Sequence, residues 1–431
     1  MRESSITTFS FNDISDSNFK TPVLKLLRDL AIGNLGFLQL VEVLKENSEL
    51  TFLTLDTTGI CDLKCQKMCY YHPAINAKKN ASEDKFFNAA ILEACQKLDL
   101  KILIFSGKEP LLNIYRLHRL ISFAGNLSGQ YNFDIGIVTN GRLIAKNWQW
   151  LNSIVQKGWL HFLDISIDSG IPEQHDSIRG VTGTFLRAYS SLERCKIDWP
   201  QVRVGCTSVL RHDNGDGILA LITRSASFNE YYFITPIQPP PFSDIEPLSW
   251  NEIRKFIEAL ISQLETEQKE AGLEIIIQLL GLYLYDAQLD GFFDWNELQE
   301  DAVGQIFTER DIGGNRLILQ MQVLPDTSWR TARITYDGFY LPNAHFLQHP
   351  QPESFAVGNI QEESIVSLYR RSLSETSTLY KILQSRNEHS CRKRPCWGSC
   401  FGGLAASENI FITGGTLTEQ PQLCLKTNND F

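Results

Sequence analysis

Three closely spaced cysteines in the first part of the chain could hold a metal cluster. Cys61, Cys65 and Cys69 directly follow a β-rich run at residues 51–55. Three thiolates can occupy three corners of a 4Fe–4S cluster and leave the fourth iron free for another ligand. A zinc ion normally takes four protein ligands, and His72 could be the fourth. The spacing therefore favours an iron–sulfur cluster with one open iron and keeps zinc as the alternative.

A second group of cysteines lies near the C-terminus. Its four thiols are those of Cys391, Cys396, Cys400 and Cys424. Four thiolates suit a closed site, which is either a second 4Fe–4S cluster or a structural zinc ion. His345 or His389 could replace one of the four. The remaining cysteines are expected to be buried core side chains, and they are Cys95, Cys195 and Cys206.

Composition and charge limit the location and the partners of the chain. Its formal net charge is −10, which argues against nucleic acid as a partner because phosphate-binding proteins usually carry a basic surface. The first residues lack the layout of a secretory signal, and the most apolar window, residues 273–285, is too short to span a bilayer. We therefore expect a cytoplasmic protein with no membrane partner. In that reducing compartment its ten cysteines are more suited to metal binding, catalysis or the core than to disulfides.

The apolar pattern predicts the elements that position these cysteines. Helical spacing of apolar residues recurs between residues 23 and 44, and from residue 51 onward β-rich runs alternate with amphipathic helical stretches. The six predicted strands lie at 51–55, 101–105, 133–138, 162–167, 201–209 and 231–235. This alternation predicts an α/β fold, specifically an incomplete (β/α)6 barrel. In such a fold the chemistry lies on the loops that follow the carboxyl ends of the strands.

Changes of pattern near residues 50, 245 and 315 predict four parts. They are an N-terminal helical extension at 1–50, the barrel at 51–245, a bridging helical region at 246–314 and a small C-terminal domain at 315–431. The bridging region should begin with a long helix that starts at Trp250 and ends near Ala271. In the C-terminal part, a turn at Asp337 and Gly338 predicts a β-hairpin, and a helix is predicted at 362–372.

The first cysteine group and its surroundings resemble the radical S-adenosylmethionine superfamily. The resemblance is carried by a strand, then CDLKCQKMCYYHP at 61–73, then alternating strands and helices. The usual spacing in the family is CxxxCxxC, whereas here Met68 stands at the third position and Cys69 is the third ligand. The resemblance implies that a 4Fe–4S cluster, reduced by an external electron donor, cleaves S-adenosylmethionine (AdoMet). It also implies that the resulting 5′-deoxyadenosyl radical removes a hydrogen atom from the substrate.

Further motifs on successive loops match the same family. Residues 106–110 (SGKEP) are similar to its GGEP motif, with Lys108 in place of the second glycine, and residues 139–141 (TNG) resemble its next turn. The resemblance implies that Glu109 binds the methionine ammonium, that Arg179 binds the methionine carboxylate and that polar groups after the fourth strand bind ribose. The implied AdoMet-binding residues are Tyr70, Gly107, Glu109, Pro110, Thr139, Asn140, Ser166, Asp168 and Arg179.

The C-terminal part resembles the SPASM and twitch domains that accompany many radical AdoMet enzymes. Three segments match that layout in order: 334–343 (ITYDGFYLPN), 355–372 and 396–403 (CWGSCFGG). Asn343 and Glu388 stand where SPASM domains have further cysteines. The four remaining thiols therefore imply one auxiliary cluster, which gives two 4Fe–4S clusters in the whole chain.

The same resemblance implies a substrate class. Relatives with these C-terminal domains mostly modify ribosomally made peptides by cross-linking, epimerisation or backbone excision, and this is the function that we expect. The N-terminal 50 residues are too short for a full peptide-recognition domain, so a separate recognition protein is an expected partner. One alternative is a radical dehydrogenase of sugar-like small molecules. An alternative of another class is a non-catalytic iron–sulfur or zinc-binding scaffold.

Overall fold

The computed structural model describes most of the chain. The described residues are 23–31, 33–47, 49–65, 69, 71–72, 81–238, 245–266, 272–301, 305–322, 330–394, 396–401 and 418. The strands in this part are β1 (Phe52–Asp56), β2 (Ile102–Ser106), β3 (Asp134–Thr139), β4 (Phe162–Ser166), β5 (Arg203–Leu210), β6 (Tyr231–Pro236), β7 (Glu274–Leu280), β8 (Gln299–Glu300), β9 (Ile306–Ile312), β10 (Asn315–Gln322), β11 (Thr331–Ile334), β12 (Phe339–Leu341) and β13 (Gly358–Asn359).

Thirteen α-helices occur in the same described ranges. They are α1 (Val23–Ala31), α2 (Phe37–Asn47), α3 (Asp84–Lys97), α4 (Ile114–Tyr131), α5 (Trp148–Gln156), α6 (Pro172–Arg179), α7 (Thr184–Asp198), α8 (Gly215–Ser225), α9 (Trp250–Thr266), α10 (Leu284–Leu289), α11 (Ile365–Ser372), α12 (Thr378–Ser385) and α13 (Trp397–Cys400). None of these helices combines the length and the apolar character that crossing a membrane requires.

The strands form one open sheet in the order β13-β12-β11-β1-β2-β3-β4-β5-β6-β7-β10-β9-β8. Strands β11, β1 to β7 and β10 are parallel to their neighbours within this run. Antiparallel strands lie at both edges, β12 and β13 at one side and β9 and β8 at the other. The sheet does not close on itself, so the expected incomplete α/β barrel is confirmed, with β1 to β6 as its six predicted strands.

Several elements outside the six strands also agree with the pattern. The predicted N-terminal helices are α1 and α2, the helix from Trp250 is α9, and the helix at 362–372 is α11. The predicted hairpin is β11 with β12. The sheet includes β7 and β10 as well, and it crosses the predicted boundaries near residues 245 and 315. The division into four domains remains a prediction.

Alternating residues give the two faces of the central strands different roles. The outer face packs against the helices in one large apolar core, which explains why short β-rich runs alternate with amphipathic helices. Its strand residues include Leu53, Leu55, Leu103, Phe105, Ile135, Ile137, Leu163, Ile165, Val204, Cys206, Ile275 and Ile277. The opposite face, here called the inner face, carries the polar side chains. Cys206 and Cys195 are buried in the outer core and Cys95 packs against it, as expected for core thiols.

Candidate functional site

The first cysteine group lies on the loop that follows β1, at the carboxyl edge of the parallel strands. Cys61, Cys65 and Cys69 are half-buried, and the Leu63 N–H donates to Cys61 Sγ at 3.4 Å. Burial raises the pKa of Cys61 to about 12, and the charge of Cys65 adds to this rise. Burial also raises the pKa of Cys65, with Cys69 contributing in the same direction. Cys65 therefore lies within electrostatic reach of both Cys61 and Cys69.

No group of three or more His, Cys, Asp or Glu side chains able to hold a metal ion is formed among the described residues. Residues 66–68 lie outside those residues, and so does Tyr70, one of the predicted AdoMet-binding residues. The chemistry of the three thiols fits a cubane cluster with one open iron, because thiolates are the usual ligands of such clusters.

Two other loops fix the segment between Cys61 and Cys65. The Lys64 N–H donates to the Arg179 carbonyl at 3.1 Å. Gly180 ends α6 in the left-handed conformation, and a Cβ at this position would lie 2.3 Å from the Lys64 carbonyl oxygen. From the loop after β3, the Asn140 side chain donates to Asp62 Oδ1 at 2.9 Å and Arg142 bonds Asp62 Oδ2 at 2.7 Å. The segment is therefore held on one side by main-chain contacts of Lys64, and on the other by the hydrogen bonds and ion pair of the Asp62 carboxylate.

The loop after β2 lies directly against the start of the cysteine loop. Gly107 has a φ of +130°, and a Cβ there would lie 2.7 Å from the Thr58 carbonyl oxygen. The next two N–H groups continue this contact, since Lys108 donates to Thr58 and Glu109 donates to the Ile60 carbonyl at 3.0 Å. A glycine is required at this position by both the dihedral angle and the close approach. Pro110 is buried at the start of the following 3₁₀ turn.

Glu109 is a fully buried carboxylate at this edge of the sheet. It accepts hydrogen bonds from the Leu111 N–H at 3.0 Å, the Thr139 hydroxyl at 2.7 Å and the Asn140 N–H at 2.8 Å. Burial raises the pKa of Glu109 to about 7, against the lowering effect of these bonds. All three donors are neutral, so a cationic group brought next to this carboxylate would be strongly favoured. The structure thus brings together three of the residues predicted for AdoMet binding.

Arg179, predicted to bind the methionine carboxylate, and Asp168, predicted to bind ribose, form an ion pair with each other. The Arg179 Nε lies 2.6 Å from Asp168 Oδ2, and the fully buried Asp168 also accepts from the Val209 N–H at 3.0 Å. Burial acts to lower the pKa of Arg179, but the charge of Asp168 and a hydrogen bond with Cys65 raise it by more. A guanidinium has five N–H donors in a fixed fork. The ion pair with Asp168 through Nε uses only one of them. Ser166 ends β4 on the inner face, opposite Thr207.

An ionic layer lies on the inner face at the amino ends of the strands. Glu274 forms ion pairs with Arg203 through one carboxylate oxygen and with Arg316 through the other. Arg316 also bonds Glu309 at 2.6 Å. The charges in this layer are therefore paired with one another, at the end of the sheet opposite the cysteines.

From the ionic layer toward the carboxyl edge of the sheet, the inner face carries first a layer of apolar side chains and then a row of neutral polar side chains. The apolar layer consists of Phe233, Ile276, Phe307 and Ile318. Next toward the carboxyl edge, the Thr235 hydroxyl donates to Gln278 Oε1 at 3.1 Å, and Gln278 Nε2 donates to Gln320 Oε1 at 3.4 Å. We call Thr235, Gln278 and Gln320 the amide row. Its side chains come from three separate strands, so no local sequence pattern indicates it.

The second cysteine group forms a compact segment around α13. Cys391 and Cys400 are buried and Cys396 is half-buried. A hydrogen bond with Cys400 lowers the pKa of Cys396 to about 7. The chain returns to this segment near its end, because the Ser390 N–H donates to the Thr418 carbonyl at 2.8 Å. Cys424 lies outside the described residues.

The position of α13 relates the second cysteine group to the sheet. The helix contacts α10 and the 3₁₀ turn Gly281–Tyr283. That turn directly follows the carboxyl end of β7. The second group therefore lies on the same edge of the sheet as the first, next to a different strand.

Comparisons with known proteins agree with this geometry. The model of the Radical SAM superfamily matches residues 55–222, the range that contains the first cysteine group, Glu109 and Arg179. A search of the curated proteins finds no match. The fold is similar to the solved structure "Native anSMEcpe with bound AdoMet", with a TM-score of 0.54 and 15% identity over 88% of this chain and 99% of that chain. A structure of native anSMEcpe with bound AdoMet and the Kp18Cys peptide has a TM-score of 0.51, with 15% identity over 88% of this chain and 99% of that chain.

Proposed function

We propose, on the premise that residues 55–222 form a radical SAM superfamily domain, that this chain uses AdoMet and a 4Fe–4S cluster to modify a peptide. Cys61, Cys65 and Cys69 would hold the cluster by three thiolates and leave one iron for the cofactor. When bound, cluster and cofactor supply a carbon-centred radical that can remove a hydrogen atom from a substrate. The protein contributes the binding, orientation and exclusion of water that such chemistry needs.

The buried carboxylate of Glu109 is the observation that carries this proposal. AdoMet presents an ammonium group, and Glu109 is a fully buried acid whose hydrogen-bond donors from Leu111, Thr139 and Asn140 are all neutral. An ammonium group would add a charge-assisted hydrogen bond, which these three neutral donors do not supply. The residues around Glu109 therefore fit one end of the cofactor.

Arg179 fits the other end of the same moiety. It is nearly buried, lies beside Cys65 and is oriented by Asp168. A guanidinium held in this way can offer its remaining N–H groups to a carboxylate in a planar fork. We assign to Asp168 the task of orienting Arg179, and to Ser166, at the end of β4, a contact with ribose.

The C-terminal cysteines are proposed to hold an auxiliary 4Fe–4S cluster. The proximity of Cys396 to Cys400 and the return of the chain at Thr418 support a common site that Cys424 completes. Its position beside the end of β7 would allow the cluster to contact a substrate or to accept an electron. A structural zinc ion is the alternative for four thiolates, and metal analysis of the purified protein separates the two.

The amide row supports a peptide as the substrate. Carboxamide side chains both donate and accept hydrogen bonds, as the N–H and C=O groups of a peptide bond do. Gln278 and Gln320 stand above the apolar layer, on the face that leads to the cysteine edge. That the similar anSMEcpe structure contains a bound peptide agrees with this substrate class. A separate recognition protein and an external electron donor complete the proposal.

The radical chemistry is tested by anaerobic reconstitution followed by measurement of 5′-deoxyadenosine after addition of AdoMet and dithionite. The parent protein should form the product and Cys65→Ala should form none. Cys95→Ala is the matched control, because Cys95 lies on α3 among core residues and should retain activity. Product formation by Cys65→Ala at the rate of the parent would contradict the assignment of the cluster.

The substrate class is tested separately with peptides encoded by genes beside that of this protein. Gln278→Leu and Gln320→Leu should form 5′-deoxyadenosine without substrate at the rate of the parent, yet should convert the peptide more slowly. Each lost amide bond is worth about 0.5–1.5 kcal/mol, which corresponds to a roughly 2- to 10-fold loss. If the protein converts a sugar-like alcohol and none of the peptides, this result would favour the alternative function of a small-molecule dehydrogenase.

A further inference from the structure

Tyr71, two residues after the third cysteine, is buried in an unusually polar setting. Its exposed fraction is 6%. Its hydroxyl accepts a hydrogen bond from Arg333 Nη2 at 2.9 Å. The ammonium group of Lys108, from the loop after β2, lies 5.7 Å from the centre of its ring. The ring and the hydroxyl of Tyr71 are thus contacted by two separate elements.

Arg333 connects Tyr71 to the strand that precedes the cysteine loop. The same Nη2 lies 2.7 Å from Oδ1 of Asp56, a fully buried residue that ends β1. Arg333 reaches this position because β11 pairs in parallel with β1, with Arg333 opposite Thr54. One guanidinium therefore joins the beginning of the cysteine loop at Asp56 to its end at Tyr71.

An apolar contact holds the same end of the loop. Tyr71 packs in a small cluster with Leu341, Phe346 and Leu347, and Cys69 packs against this cluster. The His72 N–H donates to the Leu347 carbonyl at 2.8 Å. Residues from the C-terminal third of the chain thus belong to the cluster against which the third cysteine packs.

We propose that Tyr71 is a positioning residue for Cys69, held by Arg333 from outside the domain that carries the cysteines. The inference rests on the proposed function, because it assumes that Cys69 is a cluster ligand. Three residues separate Cys65 from Cys69, one more than the spacing typical of the family that the motif resembles. A longer loop has more conformations to lose when its cysteine binds iron. The Tyr71 anchor limits the positions open to Cys69 before the cluster is bound.

The test uses reconstituted full-length protein and two designs that separate positioning from folding. Tyr71→Phe removes only the hydroxyl and keeps the ring. Arg333→Met combined with Asp56→Asn removes the buried pair together, so that no unpaired buried charge remains to unfold the protein. Tyr189→Phe is the control, because it likewise removes one hydrogen-bonded tyrosine hydroxyl, here on α7, where the hydroxyl donates to the main-chain oxygen of Arg224.

The measurement is the rate at which a ferrous chelator removes iron from the cluster whose electron paramagnetic resonance signal changes when AdoMet is added. Thermal midpoints are measured in parallel. Loss of the hydrogen bond between Arg333 and Tyr71, which Tyr71→Phe and the double variant share, is expected to accelerate release by roughly 2- to 10-fold. The signal with AdoMet should broaden in both, at a thermal midpoint close to that of the parent. Tyr189→Phe should release iron at the rate of the parent.

Two results overturn the inference in different ways. If the parent carries an AdoMet-responsive cluster and both designs release iron at its rate, the proposed function stands and the role of Tyr71 is wrong. If the parent binds no AdoMet-responsive cluster, the proposed function and the inference fall together.

Discussion

Replacement of Glu109 by glutamine should change how AdoMet affinity depends on pH, as well as the affinity itself. Burial raises the pKa of Glu109 to about 7, so the carboxyl group is largely neutral in ligand-free protein at pH values below that. An ammonium group is stabilised only by the ionised form. Binding below about pH 7 must therefore release the proton of Glu109, and the affinity rises as the pH increases.

The size of this effect follows from the ionised fraction. A group with a pKa of about 7 is roughly one-tenth ionised at about pH 6 and roughly one-half ionised at about pH 7. AdoMet should therefore bind about fivefold more tightly at the higher pH. Above about pH 8 the α-amino group of the ligand loses its own proton, and the affinity should fall again. The profile of the parent should thus have a maximum slightly above neutral pH.

The variant removes both the charge and its titration. A charge-assisted bond is worth about 1.5–3 kcal/mol, so Glu109→Gln should bind AdoMet ~10- to 150-fold more weakly. Its affinity should be flat between about pH 6 and about pH 7. Iron content should be unchanged, because Glu109 is not a ligand.

Titration of AdoMet into reconstituted protein by calorimetry, with iron counted in parallel, measures all of these quantities. Glu363→Gln is the control, since Glu363 pairs with Arg371 at the surface and should bind as the parent does. A parent affinity that does not change between the two pH values would refute the reasoning from burial. Undiminished affinity in Glu109→Gln would refute the assignment of the ammonium site.

Three other predictions concern the clusters and the loop geometry. The parent should hold about eight irons and the combined Cys61, Cys65 and Cys69→Ala variant about four, whereas zinc in the C-terminal site would contradict the auxiliary cluster. Cys69→Ala should abolish AdoMet cleavage measured as 5′-deoxyadenosine, while Met68→Leu, of similar volume, should keep most of it; equal loss in both would mean that Met68 has a direct role. Gly107→Ala should lower the free energy of unfolding by about 1–3 kcal/mol in chemical denaturation, because its Cβ would lie 2.7 Å from a main-chain oxygen.

The strands were predictable where one face alone is apolar. In β4, the outer residues Leu163 and Ile165 alternate with Asp164 and Ser166 on the inner face, and this period of two indicates a strand. In β7, a continuous apolar run surrounds Gln278, and the period is lost because both faces are largely buried. Such runs do not distinguish a strand from a buried helix. The pairing of β7 with β10 joins segments that are distant in sequence, and no local pattern indicates it.

The loops that carry the site residues could be predicted, but the pairs that their side chains form could not. The order of motifs placed Glu109 and Thr139 on neighbouring loops, and the parallel register of β2 and β3 then brings them within 2.7 Å. The pairing of Asp168 with Arg179 depends instead on the path of the chain through α6. Sequence spacing carries no information about whether two charges on that path meet each other or a ligand.

The contact between Arg333 and Tyr71 could not be predicted from local sequence patterns. The two residues are 262 positions apart, and they meet only because β11 takes the place beside β1. The hairpin that contains Arg333 could be predicted from its turn, but its neighbour in the sheet could not. The same placement brings Leu347 to the main chain at His72. A chain region that resembles a separate auxiliary domain in sequence therefore supplies side chains to the cluster against which the third cysteine of the first group packs.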